Sequence, residues 1–144
     1  MPDVTRPSLN HVALTVTNLE RSVPWYENVF DVKQQIEAPF EGGVHKLLAD
    51  PEWQLVIVLA RHEANQGENF VEARTGLDHM GFMVASRAEL EAWQARLEEN
   101  GVVRAAAADR PLTQAPILDT PYGLFLTFRD PDNIQLHLAT PPSR

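Results

Sequence analysis

Three histidines, His11, His79 and His137, stand in runs where apolar and polar residues alternate. In Leu9-Asn10-His11-Val12-Ala13-Leu14-Thr15-Val16-Thr17 the alternation puts Val12, Leu14 and Val16 on one face and His11, Ala13 and Thr15 on the other. A period of two is that of a strand with one face on a core. His79 sits likewise in Leu77–Val84, and His137 in Ile134–Ala139, where Gln135 shares its face. Neutral imidazoles suit Zn, Fe, Ni, Co or Cu. Three protein ligands with open positions are the pattern of a catalytic metal site rather than a structural one. The chain has no Cys, so disulfides and thiolate ligands are excluded.

A single strand histidine is more often a half-buried hydrogen-bonded residue than a ligand. An internal repeat argues otherwise for two of these. Leu9, His11, Val16, Asn18 and Trp25 correspond to Leu77, His79, Val84, Ser86 and Trp93, each pair 68 residues apart. Such a repeat decides the fold. His45 and His62 have no counterpart and keep the plainer reading.

The elements that must position the histidines follow the repeat. A strand over residues 9–17 leads to a helix over about 19–30, capped by Asn18, with Val23, Tyr26, Val29 and Phe30 at helical spacing. Pro24 conflicts with a regular helix there, so its first turn is expected to be irregular or its start later. Strands are expected at Val32–Ile36, Val44–Ala49 and Trp53–Ala60, with a loop carrying Pro39, Gly42 and Gly43. Residues 61–75 read as a polar linker. The second half repeats the order: a strand at 77–84, a helix over 87–100 opened by the capping box Ser86/Glu89, a strand at Val102–Ala108, a loop over Asp109–Pro121, and a hairpin of Leu124–Arg129 with Ile134–Ala139. Asp130-Pro131-Asp132-Asn133 is the turn of that hairpin, with Asp capping its own backbone and Asn suited to a left-handed residue.

Each half is thus βαβββ, and the chain is α+β: two tandem modules, 8–60 and 76–140, in one domain of 144 residues. Each helix must cover the Val/Leu face of its sheet to bury its own apolar stripe. The histidine faces then point away from the helices into a shared concavity. Ala13, Thr15, Gly81 and Met83 lie beside the histidines there, most of them small enough to leave room for a ligand. Trp25 and Trp93 belong to the helix stripes and the core.

The formal net charge is −8 and no long basic run occurs, which argues against nucleic acid as a partner. No apolar stretch approaches the ~20 residues of a membrane span. Residues 1–6 lack the apolar core of a signal peptide, so a cytoplasmic location is expected.

The chain resembles the vicinal oxygen chelate superfamily, which includes glyoxalase I, extradiol dioxygenases, fosfomycin-resistance and bleomycin-resistance proteins. The resemblance runs over about residues 8–140. It is carried by His11-Val-Ala-Leu-Thr-Val, Ser22–Phe30 with Trp25-Tyr26, Leu77-Asp-His79, Pro121-Tyr122-Gly123, and Phe128-Arg-Asp-Pro-Asp-Asn-Ile-Gln-Leu-His137. It implies paired βαβββ modules forming a cup-shaped mixed sheet with helices on the outer face, a small-molecule substrate, a divalent metal (Fe, Zn, Ni, Co or Mn) and, usually, a homodimer. The family's four ligand positions fall on His11, Val56, His79 and His137. Valine cannot ligate, so the four-ligand arrangement of glyoxalase I is broken. The remaining three match extradiol dioxygenases and fosfomycin-resistance proteins, except that Glu is usual where His137 stands. The extradiol Tyr would fall on Thr127, and its upstream His near Leu118–Thr120, where there is none, so the pattern departs from a catechol dioxygenase.

These readings lead to two expected functions. One is a metal-dependent enzyme of lyase, isomerase or dioxygenase type, with metal on His11, His79 and His137 and a small oxygen-bearing substrate chelated to it. Tyr122, beside Gly123 on a loop, is the candidate proton donor, with a turn tyrosine as its plainer role. Gln54, Gln135, Thr15 and Met83 are candidates for substrate or ligand support. The other function is a metal-independent ligand- or drug-binding protein of the bleomycin-resistance type.

Overall fold

The computed structural model describes residues 3–102 and 113–142, with the backbone alone over 113–116. The first module runs β1 (Val12–Thr15), α1 (Leu19–Phe30), β2 (Lys33–Phe40), β3 (Gly43–Ala49) and β4 (Val56–His62). The second runs β5 (Met80–Met83), α2 (Arg87–Glu99), β6 (Thr113–Thr120), β7 (Gly123–Arg129) and β8 (Gln135–Ala139). The strands form two four-stranded mixed sheets of the same order, β1-β4-β3-β2 and β5-β8-β7-β6. In each, the first strand pairs in parallel with the last and the others pair antiparallel. Equal topology in both sheets is the structural form of the 68-residue repeat.

Both helices begin where their caps predict. Asn18 Oδ1 accepts the backbone N–H of Arg21, and Ser86 Oγ accepts that of Glu89. Glu89 Oε2 reaches back to the N–H of Ala85 rather than of Ser86 itself. Contrary to the expected irregular start, α1 is continuous through Pro24. Three fully buried side chains on its inner face, Ser22, Tyr26 and Val29, hold it against the sheets, and this packing outweighs the bond that Pro24 cannot donate.

Two loops expected from composition are strands. β2 continues through Pro39 to Phe40, because it is an edge strand and Pro there costs no interior ladder bond. Thr113–Thr120 pairs antiparallel with β7 instead of looping, despite its Pro and Thr content. Both first strands are shorter than the alternation suggested, so His11 and His79 stand just ahead of β1 and β5. The strand expected over 102–108 lies, beyond Val102, outside the described residues.

The helices and the inner faces of both sheets share one core, with Leu14, Tyr26, Val29, Leu48, Ile57 and Leu59 from the first module and Leu90, Leu97, Leu126, Phe128, Leu136 and Leu138 from the second. Phe30 bridges them, with its ring 4.6 Å from Phe82 and 5.9 Å from Trp93. Polar ties reinforce the junction. Tyr26 donates its hydroxyl to Asp130 Oδ2 at 2.8 Å, and Arg96 donates to the carbonyls of Val29 and Asn28 at the end of α1. Trp25 and Trp93 pack against this core partly buried, in keeping with their place on the helix stripes.

Candidate metal centre

His137 lies on the open face of the second sheet because Leu136 and Leu138, its neighbours in β8, are buried in the core. The register pairs His137 with Gly81, two residues beyond His79. No side chain therefore stands between the two imidazoles, which stack with centroids 4.1 Å apart and planes 13° from parallel. Phe125 closes one side, 5.4 Å from the His137 ring.

The two rings are held differently. His79 Nδ1 lies 2.7 Å from Asp78 Oδ1. An ionised carboxylate only accepts, so this contact places a proton on Nδ1 and leaves Nε2 as the ring nitrogen open to a ligand. Gln135 Nε2 donates to the same Asp78 oxygen at 3.5 Å, and its Oε1 accepts from Arg129 at 3.2 Å. Arg129 in turn pairs with Glu72 from the segment between the modules. His137 Nδ1 is buried and has no hydrogen-bond partner among the described residues. Burial first, and then the neighbouring His79, push the His137 pKa down to about 4. It is thus a neutral imidazole at neutral pH, the form that ligates. An unpartnered buried ring nitrogen costs about 1–3 kcal/mol unless something fills its lone pair or takes its proton. Two adjacent imidazoles, one orphaned and one oriented by a carboxylate, fit a divalent metal.

His11 occupies the equivalent place on the first sheet. Its Nδ1 lies 2.5 Å from Asn10 Oδ1, as His79 lies against Asp78. It lines a chamber of about 460 Å³ with Ala13, Ile36, His45, Leu47 and Val56. His79 and His137 do not line that chamber, and no set of three metal-ligating side chains gathers within one chain among the described residues. The structure therefore brings together two of the three histidines.

The other candidates divide. Gln135 joins His79 through Asp78. Gln54 and Met83 instead line a cavity of about 630 Å³ with Phe30, Phe82 and Trp93. Thr15 lines a small cavity under the segment 65–77. Tyr122 is 74 % exposed in the turn joining β6 to β7. That turn is fixed by Gly123, whose φ is +123° and where a Cβ would lie 2.3 Å from the Thr140 carbonyl. Asn10, Asp78 and Arg129 were not singled out from sequence. The 68-residue offset relates Asn10 to Asp78 as well, and that was the signal available.

The glyoxalase/bleomycin resistance protein/dioxygenase superfamily model matches residues 8–138. The chain belongs to that superfamily. A glyoxylase/bleomycin resistance protein/dioxygenase domain from Frankia sp. EAN1pec is 31 % identical, with a TM-score of 0.79 over 95 % of this chain and 99 % of that one. An uncharacterized protein of Pseudomonas aeruginosa is 26 % identical over 125 residues, 87 % of this chain and 82 % of its own length. The fosfomycin resistance protein FosX of Listeria monocytogenes, complexed with Mn(II) and dihydroxypropylphosphonic acid, shares the fold at 18 % identity and a TM-score of 0.62, over 93 % and 92 % of the chains. Superfamily membership and the tandem-module α+β fold stand as the sequence indicated. Among the described residues no helix is long and apolar enough to cross a membrane.

Proposed function

We propose that this protein is a metal-dependent enzyme acting on a small oxygen-bearing substrate, with a divalent ion held by His79 and His137 of one chain and His11 of a second copy. The carrying observation is the stacked His79–His137 pair with its orphaned, neutral imidazole nitrogen. A two-fold dimer, implied by the family, supplies the third ligand twice, once at each of two equivalent sites. The Mn(II) in FosX, a protein of the same fold, supports the choice of a divalent ion. Such an ion would act as a Lewis acid on adjacent substrate oxygens and favour developing negative charge there.

The chain's own residues set the rest. Asp78 and Asn10 hold their histidines by Nδ1. Gln135, tied to Arg129, steadies Asp78. Three histidines add no ligand charge, so the ion keeps its full charge, and they supply no carboxylate base. A proton acceptor must come from substrate or from water, and Tyr122 at the exposed turn is the candidate proton donor. The chemistry is that of a lyase, isomerase or dioxygenase acting at a chelated pair of oxygens.

The metal-independent binding reading draws on one observation, the largely apolar chamber beside His11. Elemental analysis separates the two. Protein purified anaerobically without a histidine tag and reconstituted should hold about one ion per chain, and less than about a tenth would favour the metal-free reading.

A further inference from the structure

The chamber on the open face of the first sheet names a substrate class. Its walls are Ala13 of β1, Ile36 and Ala38 of β2, His45 and Leu47 of β3, and Val56 and Val58 of β4, with Asn10, His11 and Trp53 at the rim. The register sets Ile36 opposite Leu47, and Leu47 opposite Val58, so these three form one continuous apolar floor. At about 460 Å³ it falls within the roughly 300–1,000 Å³ of small-molecule sites. Its walls carry neither Lys nor Arg, and neither Asp nor Glu. The polar groups are Asn10, His11 and His45, and the His45 ring is backed by Phe40 at 4.5 Å. Ile36 and Trp53 are 45 % and 48 % exposed, large apolar groups left facing solvent at a concave opening.

Trp53 is held there at a cost. Its φ of +55° lies in the left-handed region, where a non-glycine residue is strained. Asp50 imposes that turn. Its Oδ1 accepts the Leu55 N–H at 2.7 Å, its Oδ2 accepts the Glu52 N–H, and its carbonyl accepts the Trp53 N–H at 3.0 Å. A strained, half-exposed indole against an apolar floor is better explained by a ligand than by folding.

We infer that this chamber takes the uncharged alkyl or aryl group of a substrate whose vicinal oxygens reach the metal at His11, and that Trp53 is the specificity-determining wall. A phosphonate such as FosX carries would bring a dianion against walls that carry no cationic side chain, a costly desolvation in the metal-free chain. The inference rests on the proposed metal site for the position of the oxygens, but not for the apolar group.

The test titrates the full chain, metal-free and Mn(II)-loaded, with phenylethanediol and with dihydroxypropylphosphonate by calorimetry. The diol should bind the metal-free chain at least about tenfold more tightly than the phosphonate does. Trp53→Gly should weaken diol binding about tenfold or more while leaving the melting temperature equal or higher, because glycine relieves the turn. Ala38→Arg, at an exposed edge position, should strengthen phosphonate binding. Equal or tighter phosphonate binding to the metal-free unmodified chain, or diol binding unchanged in Trp53→Gly, would overturn the inference. Diol binding that depends on Trp53 in a chain that holds no Mn(II) would uphold the chamber and remove the metal reading. Mn(II) bound without diol binding would do the reverse.

Discussion

His79, just ahead of β5, and His137 of the neighbouring β8 stack at 4.1 Å, and among the described residues only Asp78 fixes a ring nitrogen of the pair. Two imidazoles this close in parallel repel when both carry protons, and the lowered pKa of His137 reflects that after burial. The pair is therefore suited to share an ion rather than protons. His137→Ala should weaken Mn(II) or Zn(II) binding by more than about 100-fold, measured by competition with a chelating dye. His137→Glu introduces the carboxylate that the family resemblance implies at this place and should keep the ion. If both variants bind metal like the unmodified chain, His137 is not a ligand.

Asp78 is expected to act through His79. Asp78→Ala should lower metal affinity by about 10–100-fold, as removal of a ligand's hydrogen-bond partner does. Asp78→Asn retains an acceptor oxygen and should recover most of that loss. A simply structural Asp78 would move the melting temperature in both variants and the affinity in neither.

Asp130 gives the fold a pH dependence. It is 2 % exposed, and burial pushes its pKa up to about 6, against hydrogen bonds from Tyr26, Ile134 and Asp132 that lower it. A carboxyl whose folded pKa is raised contributes stability below its unfolded value near 3.8 and loses it as pH rises through about 6. The loss amounts to about 3 kcal/mol across that window. Asp130→Asn should flatten the fall in denaturation free energy between about pH 4 and 6 relative to the unmodified chain. An unchanged slope would show that Asp130 titrates normally.

Tyr26→Phe tests the same junction from the other module. It leaves Asp130 Oδ2 without its 2.8 Å donor in a buried place, at about 1–3 kcal/mol. Urea denaturation should show that loss near neutral pH, where the carboxyl is ionised and needs the bond. The loss should shrink below about pH 5.

Much of the fold was legible because repetition and alternation are both periodic signals. The pairs His11/His79 and Asn18/Ser86 gave the two modules, and Val12, Leu14 and Val16 gave the buried face. The turn at Asp130–Asn133 behaves as its residues suggest, with Asp130 Oδ1 accepting two backbone N–H groups and Asn133 at φ +71°. Composition misled at Pro39 and at Thr113–Thr120, because edge position and pairing with β7 decide those backbones. Pro24 misled because helix propensity is local and the burial of Tyr26 and Val29 is not. At the site, strand parity placed His137 and Gln135 on one face. It could not say that Gln54 faces the Phe30–Trp93 cavity, or that the His11 face does not meet the His79–His137 pair within one chain among the described residues. Those depend on how two modules meet, which no single strand encodes.

The central claim is that one ion is held by histidines from two copies. Mixing His11→Ala chains with His79→Ala/His137→Ala chains, each metal-free alone, tests it directly by elemental analysis of the isolated mixed dimer. One of the two sites then regains all three histidines, so about one ion per dimer is predicted, and none should appear in either parent. A mixed dimer as empty as its parents would contradict the account.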